Sequence, residues 1–114
     1  MNMKIDIHRE GNLVVMSISG RLDIRGVPLL ESSYQNLLKT NPSIIAFQFK
    51  NCTYIDSTGI NTLIRCMNSA EGKNLELVIY DLPEPVLGIF RISKIDQYFK
   101  IITEEEFLLQ YASQ

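Results

Sequence analysis

The chain has 114 residues and a mass of 13.0 kDa, the size of one ordinary domain, so we expect residues 1–114 to form a single domain. With 46% hydrophobic and 21% charged residues the composition is that of a globular protein, and the net charge of -2 provides no basic surface for nucleic acid or an anionic membrane. No apolar stretch is long enough for a signal peptide or a membrane span, so we expect a cytoplasmic protein that recognises its partners through a shaped surface.

Apolar periodicity divides the chain into alternating strands and helices. In chain order it predicts a strand over 3–7, a turn at 10–12, a strand over 13–18, a helix over 27–39, a strand over 44–49 and an irregular connection over 51–56. A helix over 57–71, a strand over 75–80, a short helix after Pro85, a strand over 98–102 and a final helix after Thr103 follow. The order ββαβαβαβα predicts an α/β fold with a mixed, mostly parallel sheet, an N-terminal β-hairpin and about four helices.

Several helix boundaries have clear local causes. Pro42 stops the first helix because proline disfavours helical backbone in the residue before it, and Gly72 ends the second. Thr103 is placed to cap the last helix, with Glu106 in the capping-box position. We expect the apolar side chains after this cap to pack on the core: Phe107, Leu108 and Tyr111.

The sequence lacks the signatures of common enzymes. His8, the one histidine, lies in or beside the first predicted strand and is interpreted as a surface or edge residue, and no G-x-S-x-G elbow, P-loop or G-x-G-x-x-G motif occurs. The acidic run 104–106 is interpreted as a complement to a helix dipole. Cys52 and Cys66 stand apart from any cysteine or histidine cluster, so we expect two reduced, buried thiols. We therefore expect a protein that is not an enzyme and has neither metal nor cofactor.

Residues 56–59, Asp-Ser-Thr-Gly, stand where the second helix begins. Asp56 or Ser57 can cap the first turn by accepting its unpaired backbone N–H groups, and local chemistry alone favours that interpretation. The same N–H groups and the positive end of the helix dipole also accommodate an anion, so a phosphate on Ser57 is the second interpretation. Gly59 has no side chain, which lets another backbone come close and favours a contact surface at this junction.

Residues 54–60 (YIDSTGI), which follow a buried strand, resemble the phosphorylation motif of STAS domains, the family of anti-sigma factor antagonists and their relatives. Three further segments match the family's pattern in the same order: 19–23 (SGRLD), 72–77 (GKNLEL) and 90–96 (FRISKID). The resemblance covers essentially the whole chain and implies a STAS-like fold.

The resemblance also implies a mechanism. In STAS antagonists a GHKL-type serine kinase, which is also the anti-sigma factor, phosphorylates the motif serine, here Ser57. The unphosphorylated form binds that kinase and releases a sigma factor, and a PP2C-type phosphatase resets the cycle. The match implies that Asp56 shapes the site, that Asp23 lies beside it and contributes to partner binding, and that Thr58 can serve as a secondary acceptor. The implied partner surface is Asp23, Asp56, Ser57, Thr58 and Gly59.

The chain departs from the family's pattern at three places. Thr58 stands where the family often has serine, Asn61 and Thr62 stand where it often has a second glycine or a small pair, and residues 25–28 (RGVP) are unusual at the start of the first helix, which leaves the detail of the partner face there open. Arg25 can attract a phosphate or an acidic partner, although a solvated arginine is the common outcome. The alternative function is a non-switching STAS scaffold, such as an accessory subunit of a signalling complex or a lipid transporter. An enzyme or nucleotide-binding protein would rest only on an exposed helix N-terminus.

Overall fold

In the computed structural model, which describes residues 3–112, six strands and four α-helices occur. The strands are β1 (Lys4–Glu10), β2 (Leu13–Leu22), β3 (Ile44–Gln48), β4 (Cys52–Ile55), β5 (Glu76–Tyr80) and β6 (Ile101–Ile102). The α-helices are α1 (Val27–Leu38), α2 (Ser57–Ala70), α3 (Glu84–Ile92) and α4 (Glu104–Phe107). A 3₁₀ turn at Asp96–Tyr98 and a π-helical turn at Leu108–Ala112 complete the helical segments.

The strands form one mixed sheet in the order β1-β2-β3-β5-β6. β1 and β2 are an antiparallel hairpin, whereas β3, β5 and β6 run parallel along the rest of the sheet. β4 lies off this path and pairs in parallel with the C-terminal part of β2. The mixed, mostly parallel α/β sheet with an N-terminal hairpin is confirmed.

The expectation that 51–56 is an irregular connection is wrong, because Cys52–Ile55 forms β4. β2 has 10 residues but pairs with β3 only as far as Ser17, so its C-terminal backbone needs another partner strand. β4 provides it, and the element order is therefore ββαββαβαβα. Burial in β4 runs buried, exposed, exposed, buried, which lacks the two-residue alternation by which a strand is recognised in sequence.

The last strand is shorter than the sequence predicts. β6 covers only Ile101–Ile102, because Asp96–Tyr98 forms a 3₁₀ turn in which the Tyr98 N–H donates to the Ile95 carbonyl over 3.0 Å. The turn follows Lys94, whose φ of 58° takes the chain out of α3. The apolar residues over 98–102 thus belong partly to a turn and partly to a strand. Their spacing in the sequence does not show where the turn ends and the strand begins.

Apolar clusters pack on both faces of the sheet. The larger joins one face of β2, β3 and β5 to α1, α2 and α3, and the smaller packs Ala46, Val78 and Tyr80 against Phe107 of α4. Phe107 stacks on Tyr80 with ring centres 4.0 Å apart, which agrees with the expected docking of the last helix. Leu108 is an exception, since half of it is exposed and it does not pack on the core as predicted.

The C-terminal segment begins as the sequence predicts. Thr103 Oγ1 accepts a hydrogen bond from the Glu106 N–H over 3.1 Å, and Glu106 Oε1 accepts one from the Thr103 N–H over 2.9 Å. The predicted capping box is therefore confirmed. Within residues 3–112, no helix has the length and apolar character that crossing a lipid bilayer demands.

Candidate functional site

The C-terminal ends of β2 and β4 meet at one edge of the sheet, where α2 begins. Leu22 at the end of β2 pairs with Ile55 at the end of β4, and the Asp56 N–H donates to the Leu22 carbonyl over 3.3 Å. The next residues of the two strands, Asp23 and Asp56, therefore lie side by side. The two carboxylates also interact electrostatically, since the negative charge of Asp23 acts to raise the pKa of Asp56. The sequence-based expectation that Asp23 adjoins the 56–59 motif agrees with this geometry.

Asp56 is the cap of α2. Its backbone is extended, and its Oδ1 accepts hydrogen bonds from the Gly59 N–H over 3.0 Å and from the Thr58 hydroxyl over 2.6 Å. Partial burial acts to raise the pKa of Asp56, but these hydrogen bonds, with one from the Thr58 N–H, outweigh it and hold the pKa below its ordinary value. The sequence left Asp56 and Ser57 open as the cap of this helix. The structure shows that Asp56 caps the first turn and that Ser57 does not.

Ser57 is the first residue of α2 and is exposed. Among residues 3–112 its hydroxyl has no hydrogen-bond partner, whereas the neighbouring Thr58 is half-buried and its hydroxyl donates to Asp56. The motif therefore presents one accessible, unengaged hydroxyl and one that is held by the cap. This difference in access favours Ser57 over Thr58 as the site of any modification.

Gly59 is buried, and the backbone that approaches it belongs to this chain. A Cβ at position 59 would lie 2.5 Å from the Leu22 carbonyl oxygen, 2.8 Å from Leu22 Cγ and 3.0 Å from Ile55 Cγ1. The close approach that the sequence suggested is therefore internal: it sets the first turn of α2 against the end of β2. Gly59 thus holds the helix turn that begins with Ser57 against the strand end that precedes Asp23.

Two arginines surround Asp23, which is only 8% exposed. Arg25 Nη2 lies 3.2 Å and Arg21 Nε 3.5 Å from Asp23 Oδ2, and the Arg25 N–H donates to Oδ1 over 3.0 Å. The hydrogen bond from the Arg25 guanidinium is the main reason that the pKa of Asp23 is lowered; it and the further contacts of Arg25 and Arg21 outweigh the effect of burial. Arg21 also stacks its guanidinium 4.0 Å above the centre of the Tyr54 ring.

The sequence reasoning missed this arginine cluster. Arg25 is well exposed, as expected for a solvated arginine, but it is also ion-paired, and Arg21 had no expected role. The spacing Arg-x-Asp-x-Arg over 21–25 is the signal that was available, but residues 23–25 lie in the turn after β2, so the spacing alone does not place both guanidinium groups on Asp23. Beside this cluster two large apolar side chains are exposed, Ile24 (68%) and Tyr54 (36%).

The other reactive groups lie away from this edge or are buried. His8 is exposed on β1, with Nε2 3.1 Å from Glu10 Oε1. Cys52 and Cys66 are free and buried, as expected; burial raises the pKa of both thiols, that of Cys66 to about 12. Within residues 3–112 no group of three or more His, Cys, Asp or Glu side chains is arranged to hold a metal ion. Ser57 and its surroundings are therefore the best candidate for a functional site.

Comparison with known proteins places this arrangement in a family context. A model of the STAS domain family matches residues 4–108. The anti-sigma-B factor antagonist of Bacillus subtilis is 22% identical over 106 residues, which cover 93% of this chain and 96% of that protein. The crystal structure of an anti-sigma factor antagonist from Mycobacterium paratuberculosis superposes with a TM-score of 0.83 at 17% identity, over 95% of this chain and 92% of that one. The phosphorylated form of the Bacillus cell fate determinant SpoIIAA superposes with a TM-score of 0.70 at 18% identity, over 92% and 96% of the two chains. At these identities the solved structures share the fold.

Proposed function

Because the chain belongs to the STAS domain family, we propose that it is an anti-sigma factor antagonist whose partner binding is controlled by phosphorylation of Ser57. The observation that carries the proposal is the exposed, unengaged Ser57 hydroxyl in the first turn of a helix that Asp56 caps. The relatives named as anti-sigma factor antagonists support the general role. In this role the chain is the substrate of another protein's chemistry and performs none of its own.

The unphosphorylated form binds its anti-sigma factor through the edge of the sheet around Ser57. Ile24 and Tyr54 offer exposed apolar contact area there, and removing such area from water stabilises a complex. Asp56 and the ion-paired Asp23 contribute polar contacts beside it, and Thr58 completes the surface around Ser57. Binding of the anti-sigma factor releases the sigma factor that it held.

Phosphorylation changes this surface without unfolding the domain. A phosphate adds a charge of about −1.5 to −2 and three acceptor oxygens at a helix N-terminus, where backbone N–H groups and the helix dipole tolerate an anion. The cap at Asp56 does not involve the Ser57 hydroxyl, so the first turn keeps its hydrogen bonds. The partner, in contrast, meets new bulk and negative charge at the centre of its docking surface, and the complex dissociates.

The partners follow from the same proposal. The anti-sigma factor is a GHKL-type serine kinase that phosphorylates Ser57, and a PP2C-type phosphatase removes the phosphate. Ser57 is the primary acceptor, and Thr58 is secondary because its hydroxyl donates to Asp56. Gly59 acts from beneath the surface, by holding α2 against β2.

Isothermal titration calorimetry with the anti-sigma factor kinase of the same organism tests the proposal. Ser57→Ala should bind as the unmodified chain does, and Ser57→Asp should bind at least about tenfold more weakly, a loss of about 1.4 kcal/mol. Ser43→Asp is the matched control, since Ser43 is exposed and precedes β3 at the opposite end of the sheet; it should leave the affinity unchanged. Equal affinities for Ser57→Ala and Ser57→Asp would contradict the switch and favour a constitutive STAS scaffold.

A further inference from the structure

The charges around Ser57 are balanced before any phosphate is added. Two cations, Arg21 and Arg25, share the carboxylate of Asp23, and Asp56 supplies the second anion of the cluster. Asp56 is already occupied as the cap of α2. A phosphate on Ser57 adds a charge of about −1.5 to −2 near these two carboxylates. A cation that can leave its present carboxylate partner would then be available to neutralise the phosphate.

The two arginines differ in their freedom to move. The side chain of Arg21 is 41% exposed and is held from two sides, by the Asp23 carboxylate and by the Tyr54 ring. The side chain of Arg25 is 73% exposed, and among residues 3–112 its guanidinium is ion-paired with Asp23 alone. The backbone N–H of Arg25 makes its own bond to Asp23 Oδ1, so the loop keeps its shape if the side chain leaves. Arg25 is therefore the cation that is free to reorient.

We propose that Arg25 is the phosphate-binding residue of this switch: when Ser57 is phosphorylated, its guanidinium moves from Asp23 to the phosphate, while Arg21 stays on Asp23 and Tyr54. This inference rests on the proposed function and adds to it the residue that receives the phosphate. A guanidinium can bind two phosphate oxygens at once through two of its nitrogens. The Arg25 guanidinium contacts Asp23 through one nitrogen only, Nη2, at 3.2 Å from Oδ2. Asp23 keeps a counter-ion in Arg21, so the exchange does not leave the Asp23 carboxylate unpaired.

The exchange also alters the surface that a partner meets. In the unphosphorylated form Arg25 covers one oxygen of Asp23. In the phosphorylated form the guanidinium lies over Ser57, and the Asp23 carboxylate loses that cover beside the exposed Ile24. Phosphorylation then acts on the docking surface through two changes, the phosphate itself and the displaced arginine.

The test is a phosphorus-31 NMR pH titration of the full chain with phosphoserine genetically encoded at position 57. The second pKa of the wild-type phosphate should lie below the value of about 6 that is usual for phosphoserine. Arg25→Gln should raise it by at least about half a unit, because an opposite charge within ~4–6 Å commonly moves a pKa by one unit or more and exposure reduces the effect. Arg21→Gln should raise it less. Arg91→Gln is the matched control, since Arg91 is an exposed arginine on α3 with one carboxylate partner, Glu84 at 3.3 Å, and it should cause no change.

An unchanged phosphate pKa in Arg25→Gln would overturn the proposal, and so would a larger rise in Arg21→Gln than in Arg25→Gln. Far-UV circular dichroism of each variant checks that the fold is intact, as expected for changes at exposed side chains. Because the phosphoserine is encoded, no kinase takes part in this experiment. Failure of the arginine exchange is therefore distinguishable from failure of a kinase to recognise Ser57.

Discussion

Gly59 gives the sharpest prediction about how the site is built, because replacing it with alanine has opposite effects on the helix and on the packing. In an ordinary helical position Gly→Ala stabilises by up to about 1 kcal/mol. At position 59 the added methyl group would lie 2.5 Å from the Leu22 carbonyl oxygen and 2.8 Å from Leu22 Cγ. The nearest of these atoms is backbone of a central strand and cannot turn away as a flexible side chain does.

The packing effect should dominate. Forcing an extra methyl group into a packed site costs about 1–3 kcal/mol, and moving α2 away from β2 also strains the bond from the Gly59 N–H to Asp56, a cap worth about 0.5–2 kcal/mol. Against a propensity gain of at most about 1 kcal/mol, Gly59→Ala should lower the free energy of unfolding by about 1–3 kcal/mol. The same movement separates Ser57 from Asp23 and should weaken partner binding.

Gly88 in α3 offers a matched control within the chain. Apart from its chain neighbours and the backbone of its own helix, a Cβ at position 88 meets no atom of the described residues within 4 Å, so Gly88→Ala should raise the free energy of unfolding by about 0.5–1 kcal/mol. Urea unfolding followed by far-UV circular dichroism measures both variants, and a common slope shows that the comparison is valid. A Gly59→Ala variant as stable as the wild type or more stable would refute the close contact between α2 and β2.

Further predictions concern the cap, the acidic groups and the thiols. Asp56→Ala should lower the free energy of unfolding by about 1 kcal/mol and Asp56→Asn by clearly less, because asparagine keeps an acceptor oxygen; equal losses in urea unfolding would contradict the cap. Asp23 and Asp56 have lowered pKa values in the fold, so the stability they contribute is complete above about pH 4 and is lost as the pH falls through their folded-state values. Melting curves between about pH 6 and pH 2 should show this loss, and Asp23→Asn should flatten it; an unchanged profile would contradict the ion pairs. Cys52 and Cys66, which are buried with raised pKa values, should resist a disulfide reagent at about pH 8 until urea unfolds the chain; immediate reaction of the native protein would refute their burial.

Much of the architecture is predictable from apolar spacing and helix signals. The second helix begins at Ser57 as predicted, and its apolar face packs on the core. Both features are predictable because a helix cap and an apolar face are specified by residues close in sequence. The capping box at Thr103 and Glu106 is similarly local. β4 was not predictable in this way, since it exists to pair with the end of β2, about thirty residues earlier, and its own residues do not alternate.

The candidate site shows the same division. Asp56 and Ser57 are recognisable because strand, cap and helix are consecutive in sequence. Which of them caps the helix depends on the backbone of Asp56, and the buried state of Gly59 depends on its contact with Leu22 from a distant strand. The pairing of Asp23 with Arg21 and Arg25 needs the geometry of the loop after β2, which the sequence pattern does not specify.

The central claim is that Ser57 is the phosphoacceptor of a partner switch, and one measurement tests it most directly. The chain is incubated with ATP and the GHKL-type anti-sigma factor kinase of the same organism, and intact mass spectrometry with peptide mapping follows the phosphate. We predict one phosphate on the wild type, mapped to Ser57, and a large loss of phosphate in the control Ser57→Ala, which keeps only the secondary acceptor Thr58. A phosphate mapped predominantly to another residue, or no phosphate under conditions in which the kinase modifies a reference antagonist, would contradict the account.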